Sequence, residues 1–195
     1  LSTAGDSVDI GALARRYDEW PGEAYEGSSC RGAMKGWHKH GVCAEKLWRH
    51  DPRKPDYALT GERAEEAQKR PLGAYFRVNH KDLVAMHAAI SEVGVLYASA
   101  GVHSGWDQVR GNGLIPFNDK VRPLGGHAFA FVAYDEKGFW LQNSWGDDWG
   151  NGGFAHLSYD DWLHNGSDVW VARLGVPVEL PARRAASSAF VASAQ

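Results

Sequence analysis

Two apolar runs joined by a short polar turn constrain the fold of this chain more than any other feature. The first run, at 128–134, begins directly after His127, and the second, at 139–142, ends directly before Asn143. The residues between them, at 135–138, have the Asp, Lys and Gly composition of a tight turn. Because an antiparallel hairpin of this length brings its two open ends together, the pattern predicts that His127 and Asn143 lie side by side.

Glycine- and tryptophan-rich motifs surround both residues. Gly125 and Gly126 precede the histidine, Asn-Ser-Trp-Gly occupies 143–146, and Trp-Gly-Asn-Gly-Gly occupies 149–153. A histidine that opens an apolar strand is more often an ordinary core residue. An imidazole beside a carboxamide oxygen, however, is also the arrangement that orients the histidine of Cys-His-Asn enzymes. With these motifs in register, the stretch resembles the C-terminal signature of the papain-like cysteine peptidases.

The resemblance implies an α+β fold in which a helical left part, here incomplete, packs on an antiparallel, β-barrel-like right part. It also implies that His127 and Asn143 are catalytic and that Trp145 covers the bond between them. The papain-like domain is expected to occupy residues 1–176 and to be incomplete at its N-terminus. The Ala/Ser-rich stretch 177–195 is expected to be a flexible tail.

The pattern leaves the identity of the nucleophile open. The chain has two cysteines, Cys30 and Cys43. In the family the nucleophilic cysteine heads a helix about 130 residues before the histidine. Only 126 residues precede His127, so the resemblance places the expected nucleophile just upstream of Leu1. Cys30 stays open as a weaker alternative, because it follows Gly-Ser-Ser at the start of a predicted helix, where the helix dipole favours a thiolate.

The residues around Cys30 resemble a later family element, the glycine-rich wall of the substrate cleft and the short helix that follows it. In this register Cys30 lies on the wall of the main specificity pocket. The resemblance assigns substrate binding to Gly27, Ser28, Ser29, Gly125 and Gly126. With residues 98–100 completing it, the pocket is predicted to be open, uncharged and suited to bulky apolar side chains. Cys43 is predicted to be a small buried hydrophobe.

Composition narrows the range of partners and cofactors. The formal net charge is −3, so nucleic-acid binding has no electrostatic support. No apolar run approaches the roughly 20 residues that cross a bilayer, and no signal peptide opens the chain. The two cysteines lie 13 residues apart around a predicted helix and are poorly placed to pair, which favours either a reduced, cytoplasmic setting or a bacterial style of the fold. No metal or cofactor is expected, since His38 and His40 lie on different sides of a helix and no cluster completes a zinc set.

Local patterns predict the elements that carry these residues. Helices are expected over 9–20, from Ser28 or Ser29 to Gly41, over 62–70, and from Asn79 as N-cap to Val93. Further strands are expected at 73–78, 95–100, 113–116 and 168–174. His103, in the loop after the second of these strands, is expected to be exposed.

Two functions of different classes follow from these observations. The first is a cysteine peptidase that hydrolyses a peptide or protein substrate through an acyl-thioester. Its cysteine would lie outside this chain, and a second chain is one way to complete the catalytic helix. The alternative is a catalytically inactive papain-like protein that binds peptides or protein partners without cleaving them. Transfer to an acceptor other than water would use the same groups, but no motif selects it.

Overall fold

A six-stranded antiparallel sheet forms the centre of the computed structural model, which describes residues 14–18, 27–49 and 58–176. Across the sheet the strands follow the order β1-β6-β2-β3-β4-β5. Their bounds are β1 (Leu72–Val78), β2 (Leu96–Val102), β3 (Gly125–Tyr134), β4 (Gly138–Gln142), β5 (Phe154–Ser158) and β6 (Gly166–Leu174). The described part of the chain adds four α-helices, α1 (Cys30–His40), α2 (Gly61–Ala67), α3 (Leu83–Val93) and α4 (Tyr159–Asn165).

One face of the sheet carries the main hydrophobic core. Alternation along β2 turns Leu96, Ala98 and Ala100 to this face, and residues directly opposite them on β3 and β6 point the same way. The helices α3 and α4 cover this face, with Ile90 and Trp162 buried against it. Because each fully buried side chain of this kind contributes about 1.5–3 kcal/mol, this face is the main source of hydrophobic stabilisation.

The other face of the sheet is covered by α1. Cys30 and Met34 of this helix pack with Leu72 of β1 and Trp170 of β6. Tyr97 of β2 is partly buried in the same cluster. The sheet is therefore packed on both faces, and the N-terminus of α1 lies over its middle strands.

The local sequence fixes both ends of α1, as predicted. Ser29 is the N-cap, and its Oγ accepts the backbone N–H of Gly32 at 3.0 Å. Gly41 ends the helix at φ 72° and donates its N–H to the carbonyl of Trp37. These caps hold residues 27–30 over the middle strands of the sheet, where the candidate site lies.

The start of α3 differs from the prediction. Asp82, not Asn79, is the N-cap, and its carboxylate accepts the N–H of Ala85 at 3.0 Å. The side chain of Asn79 instead accepts the N–H of Lys81 at 3.1 Å, which makes a turn before the helix. Both residues are good caps, so the sequence did not decide between two starts that lie three residues apart.

His103 is buried, so its predicted exposure is wrong. Only 2% of the residue is accessible. Its Nδ1 lies 3.1 Å from the backbone N of Gly105, and a backbone N–H can only donate, so Nδ1 is the acceptor. Nε2 then carries the proton and donates to Asp161 Oδ2 at 2.9 Å. The pair ties the end of β2 to α4 inside the core.

Other predicted elements are shorter than expected or lie outside the described residues. The helix predicted over 62–70 is Gly61–Ala67, and the strand predicted at 113–116 is a single bridge between Leu114 and His156. Of the helix predicted over 9–20, only 14–18 is described, with a 3₁₀ turn at Arg15–Tyr17. The stretch 177–195 lies outside the described residues. No helix in the described ranges combines the length and the hydrophobicity that a bilayer span requires.

We expect Gly41→Ala to destabilise the fold far more than Gly94→Ala. Both glycines end a helix at positive φ, which costs a residue with a Cβ about 1–2 kcal/mol. A Cβ at Gly94 would meet open space, whereas one at Gly41 would lie 1.9 Å from the carbonyl oxygen of Ala67. The free energy of unfolding from urea titrations should fall by about 1 kcal/mol for Gly94→Ala and by at least about 3 kcal/mol for Gly41→Ala. Equal losses would show that α1 and α2 do not pack as described.

Candidate active site

The hairpin of β3 and β4 brings His127 and Asn143 together, as the sequence predicted. His127 Nε2 lies 2.7 Å from Asn143 Oδ1. The same oxygen accepts the backbone N–H of Ser144 at 2.8 Å, which identifies it as the oxygen of the amide. Because a carboxamide oxygen can only accept, Nε2 of His127 carries the proton. In the neutral imidazole Nδ1 then bears a lone pair, and no group in the described residues hydrogen-bonds to it.

Two tryptophans pack against His127, and a third packs on both of them. The ring of Trp145 lies 4.7 Å from the imidazole, centroid to centroid, and Trp106 meets the imidazole edge-on at 6.1 Å. Trp149 stacks on Trp106 at 6.0 Å and donates its indole N–H to the carbonyl of Trp106. Trp145 remains 42% exposed, whereas Trp106 is fully buried. Trp106 and Trp145 thus contact the imidazole of His127 on the core side of the sheet.

Trp106 was not singled out from the sequence. It lies in a short 3₁₀ helix after β2, Ser104–Gln108, 21 positions before His127, and no local pattern marks a tryptophan there as a neighbour of a histidine on the next strand. The antiparallel pairing of β2 with β3 brings them together, because the chain leaves β2 on the side where β3 begins.

A cleft of about 890 Å³ lies between the start of α1 and the sheet. One wall is formed by residues 27–30 and the other by residues of β1, β2, β3 and β6. Of the predicted substrate-binding residues, Gly27, Ser28, Ser29 and Gly126 line this cleft, whereas Gly125 is not among the lining residues. The residues of the sheet side are Arg77, Tyr97, Ser99, Ala100, Gly101, Gly126, His127, Ala128, Ser167 and Asp168.

The pleat of β2 places Cys30 and His127 on opposite faces of the sheet. His127 pairs directly with Ala100, and both turn toward the core face. Tyr97 and Ser99 alternate with these core positions and therefore point to the face that α1 covers. Cys30 packs on that same face, in one cluster with Tyr97, and lines the cleft together with Ser99. Although Cys30 and His127 both line the cleft, the thiol lies on the pocket side of β2 and the imidazole on the other.

The surroundings of Cys30 keep its thiol protonated. Burial raises the pKa of the Cys30 thiol above its ordinary value, and the nearby Asp168 carboxylate raises it further. Hydrogen bonds from Ser99 and Tyr97 oppose this shift without reversing it. A catalytic cysteine needs the opposite, a lowered pKa. Cys43, as predicted, is buried in a small apolar cluster with Trp48 and Ala67, and both cysteines are free thiols.

The prediction of an uncharged pocket is wrong, because an ion pair lines the cleft. Arg77 Nε donates to Asp168 Oδ1 at 2.7 Å. The indole N–H of Trp170 donates to the other carboxylate oxygen at 2.8 Å. Arg77 and Asp168 stand on the neighbouring strands β1 and β6 and are 91 residues apart in the chain. Sequence reasoning missed them, since their contact depends on the register of two distant strands.

A family model for papain family cysteine proteases matches residues 20–168, about three quarters of the chain. The chain belongs to the papain family. The predicted family and the predicted α+β, papain-like fold are thereby confirmed. An uncharacterized peptidase C1-like protein of Acanthamoeba polyphaga mimivirus is 29% identical over 161 residues, which are 74% of this chain and 51% of the relative. The chain thus spans about half the length of that curated relative.

Solved structures share the fold. Xylellain, a cysteine protease from Xylella fastidiosa, superposes with a TM-score of 0.67 at 24% identity, over 83% of this chain and 68% of xylellain. A cysteine protease of Carica candamarcensis, solved in complex with E-64, gives a TM-score of 0.61 at 17% identity, over 85% of this chain and 76% of the protease. At these identities the likeness concerns the fold.

We expect Cys30 to react slowly with alkylating reagents in the folded protein. A Cys43→Ala variant isolates Cys30, and its labelling by iodoacetamide can be followed by intact mass at pH 7 to 10. Because the raised pKa lowers the thiolate fraction at each pH, folded protein should label at least about 10-fold more slowly at pH 8 than urea-unfolded protein. The rate should climb only above the ordinary thiol range. Rapid labelling of the folded protein at pH 7 would identify an activated thiolate.

Proposed function

We propose that this chain carries the histidine and asparagine of a cysteine peptidase site. The hydrogen bond of 2.7 Å between His127 and Asn143 is the observation that carries the proposal. It fixes the tautomer in which Nδ1 is free to exchange a proton with a thiol and then with a leaving amine. Membership of the papain family and the cleft that His127 lines support the same assignment.

In the proposed reaction a thiol first gives its proton to His127 Nδ1. The thiolate attacks the peptide carbonyl carbon, and a carbon–sulfur bond forms while an electron pair moves onto the oxygen. As the carbonyl re-forms, the carbon–nitrogen bond breaks and Nδ1 returns the proton to the leaving amine, which leaves an acyl-thioester. Water then attacks this carbonyl and gives a proton to Nδ1, and the acid departs while the sulfur regains its electron pair.

Asn143 and Trp145 act through His127 in this scheme. The Asn143 oxygen accepts a hydrogen bond from Nε2–H throughout the reaction. The imidazolium formed in each half-reaction therefore stays aligned with the cleft. Trp145 covers this bond, and the indoles of Trp106 and Trp149 hold Trp145 in place. Gly27 and Ser28, on the opposite wall, present backbone groups to an extended peptide.

The thiol is proposed to come from outside these 195 residues. Cys30 has a raised pKa and lies across β2 from the imidazole, and Cys43 is buried in a separate cluster. The surface beside His127 carries apolar groups, with Leu124 73% exposed and Trp145 partly exposed. A helix that bears the thiol, from another segment of the polypeptide or from a second chain, would cover these groups.

The placement of both cysteines also favours a second candidate, a papain-like protein that binds peptides or protein partners without cleaving them. The cleft and the bond between His127 and Asn143 would persist in such a protein. Only the reaction would be absent.

A thiol-reactive epoxide separates the two candidates. We expect no epoxide adduct on the 195-residue chain, judged by intact mass, and one adduct on the protein expressed with the coding sequence that precedes Leu1. The longer protein should hydrolyse fluorogenic peptides. His127→Ala should lower kcat/KM by about 10²- to 10⁴-fold, the contribution of general acid–base catalysis.

His164→Ala is the matched control, because this exposed histidine of α4 does not line the cleft, and it should keep full activity. An adduct on Cys30 of the short chain would contradict the proposed source of the thiol. A folded long form that gives neither adduct nor hydrolysis would favour the binding protein.

A further inference from the structure

The sheet side of the cleft carries an ion pair, Arg77 with Asp168, beside uncharged residues. Arg77 and Asp168 belong to rows of side chains that face α1, because Arg77 pairs with Trp170 across β1 and β6, and Asp168 pairs with Ser99 across β6 and β2. Each row continues toward β3, and Ala128 of β3 stands directly opposite Ser99. The ion pair therefore lies on the pocket side of β2, along the wall that a bound side chain would touch.

Asp168 and Arg77 differ in how many of their polar atoms are hydrogen-bonded and in how far they are exposed. The Asp168 carboxylate receives three donors, namely Arg77 Nε at 2.7 Å, the N–H of Val169 at 3.1 Å and the indole of Trp170 at 2.8 Å. Its side chain is only 16% exposed. Arg77 uses Nε alone for the carboxylate, and within the described residues Nη1 and Nη2 have no hydrogen-bond partner. Its side chain is 60% exposed.

Arg77 and Asp168 are the oppositely charged pair among the described residues that line the cleft. His80 and Lys81, which come after β1, do not line it. A bound acidic side chain would meet the Arg77 guanidinium, which is held in place by the hydrogen bond of its Nε. Its Nη1 and Nη2 groups have no hydrogen-bond partner among the described residues. A carboxylate can take two parallel hydrogen bonds from such a fork. An apolar side chain in the same place would cover these donors without satisfying them.

We propose that Arg77 makes this pocket selective for an acidic peptide side chain, with Asp168 as the residue that positions it. The proposal rests on the proposed function in taking the cleft as the site where a peptide binds. It names the substrate class as peptides that place a glutamate or aspartate against β1 and β6. The remaining wall, formed by Cys30, Tyr97 and Ser99, then contacts the aliphatic part of that side chain and its neighbours.

Equilibrium binding tests the proposal without requiring catalysis. The probes are acetylated and amidated tetrapeptides that carry Glu, Gln, Leu or Lys at one position, with each of the four positions varied in turn. Competition against a fluorescent peptide gives Kd for the folded protein. At one position Glu should bind about 3- to 10-fold more tightly than Gln or Leu, a modest factor because Arg77 is partly exposed, and Lys should bind most weakly. The preference for Glu should shrink as salt is raised from 0.05 to 0.5 M, by roughly the screening expected of an exposed pair.

Variants assign the effect to Arg77. Arg77→Met keeps the aliphatic stem and should abolish the difference between Glu and Gln, whereas Arg77→Lys should keep part of it. Arg173→Met is the matched control, because Arg173 is 59% exposed, belongs to β6 and pairs with Glu92 outside the cleft. It should keep the full preference. Circular dichroism checks that each variant is folded.

Several results would overturn the proposal. They are equal or tighter binding of Leu than Glu at every position, a Glu preference that survives in Arg77→Met, and no binding of any peptide. A parallel hydrolysis assay on the same peptides, run on the longer protein expressed with the coding sequence that precedes Leu1, separates this failure from failure of the proposed function. Glu-selective binding without cleavage would refute the peptidase alone, and cleavage without preference for Glu would refute the role of Arg77 alone.

Discussion

The alternation of side chains along β2 is the constraint on which the rest of this structure depends. The strand lies between β6 and β3, and its even-numbered positions from Leu96 to Ala100 build the core, while Tyr97 and Ser99 face α1. A shift of register by one residue would exchange these two faces and bury the pocket wall in the core. The same alternation places the imidazole of His127 on the core side of the sheet and the thiol of Cys30 on the side that α1 covers.

Local contacts explain the part of the site that the sequence predicts. His127 and Asn143 are 16 residues apart and joined by one tight turn, so their proximity follows from the hairpin alone. The caps of α1 are equally local, since Ser29 bonds Gly32 and Gly41 bonds Trp37. At a turn or a helix end, few local arrangements provide hydrogen-bond partners for the free backbone N–H and C=O groups. The residue type at that position decides which of these arrangements forms.

Pairings between distant segments explain what the sequence left out. His103 is buried because Asp161, 58 residues later, offers an acceptor inside the core. Arg77 meets Asp168 across 91 residues, and only the register of β1 on β6 makes them neighbours. His103, Asp161 and Asp168 are polar and would read as surface residues in isolation, because burial of a polar group becomes favourable only when its partner is present. Asn79 shows the smaller error of choosing between two caps of nearly equal strength.

The division of β2 into two faces also bears on how such a protein can diversify. The residues that hold His127 are on the core face, and those that shape the pocket, such as Ser99 and Asp168, are on the other. Substitutions on the pocket face can accumulate without disturbing the packing that orients the imidazole. Chains that share this imidazole and carboxamide can therefore differ in the shape and charge of the cleft while the packing around the imidazole stays the same.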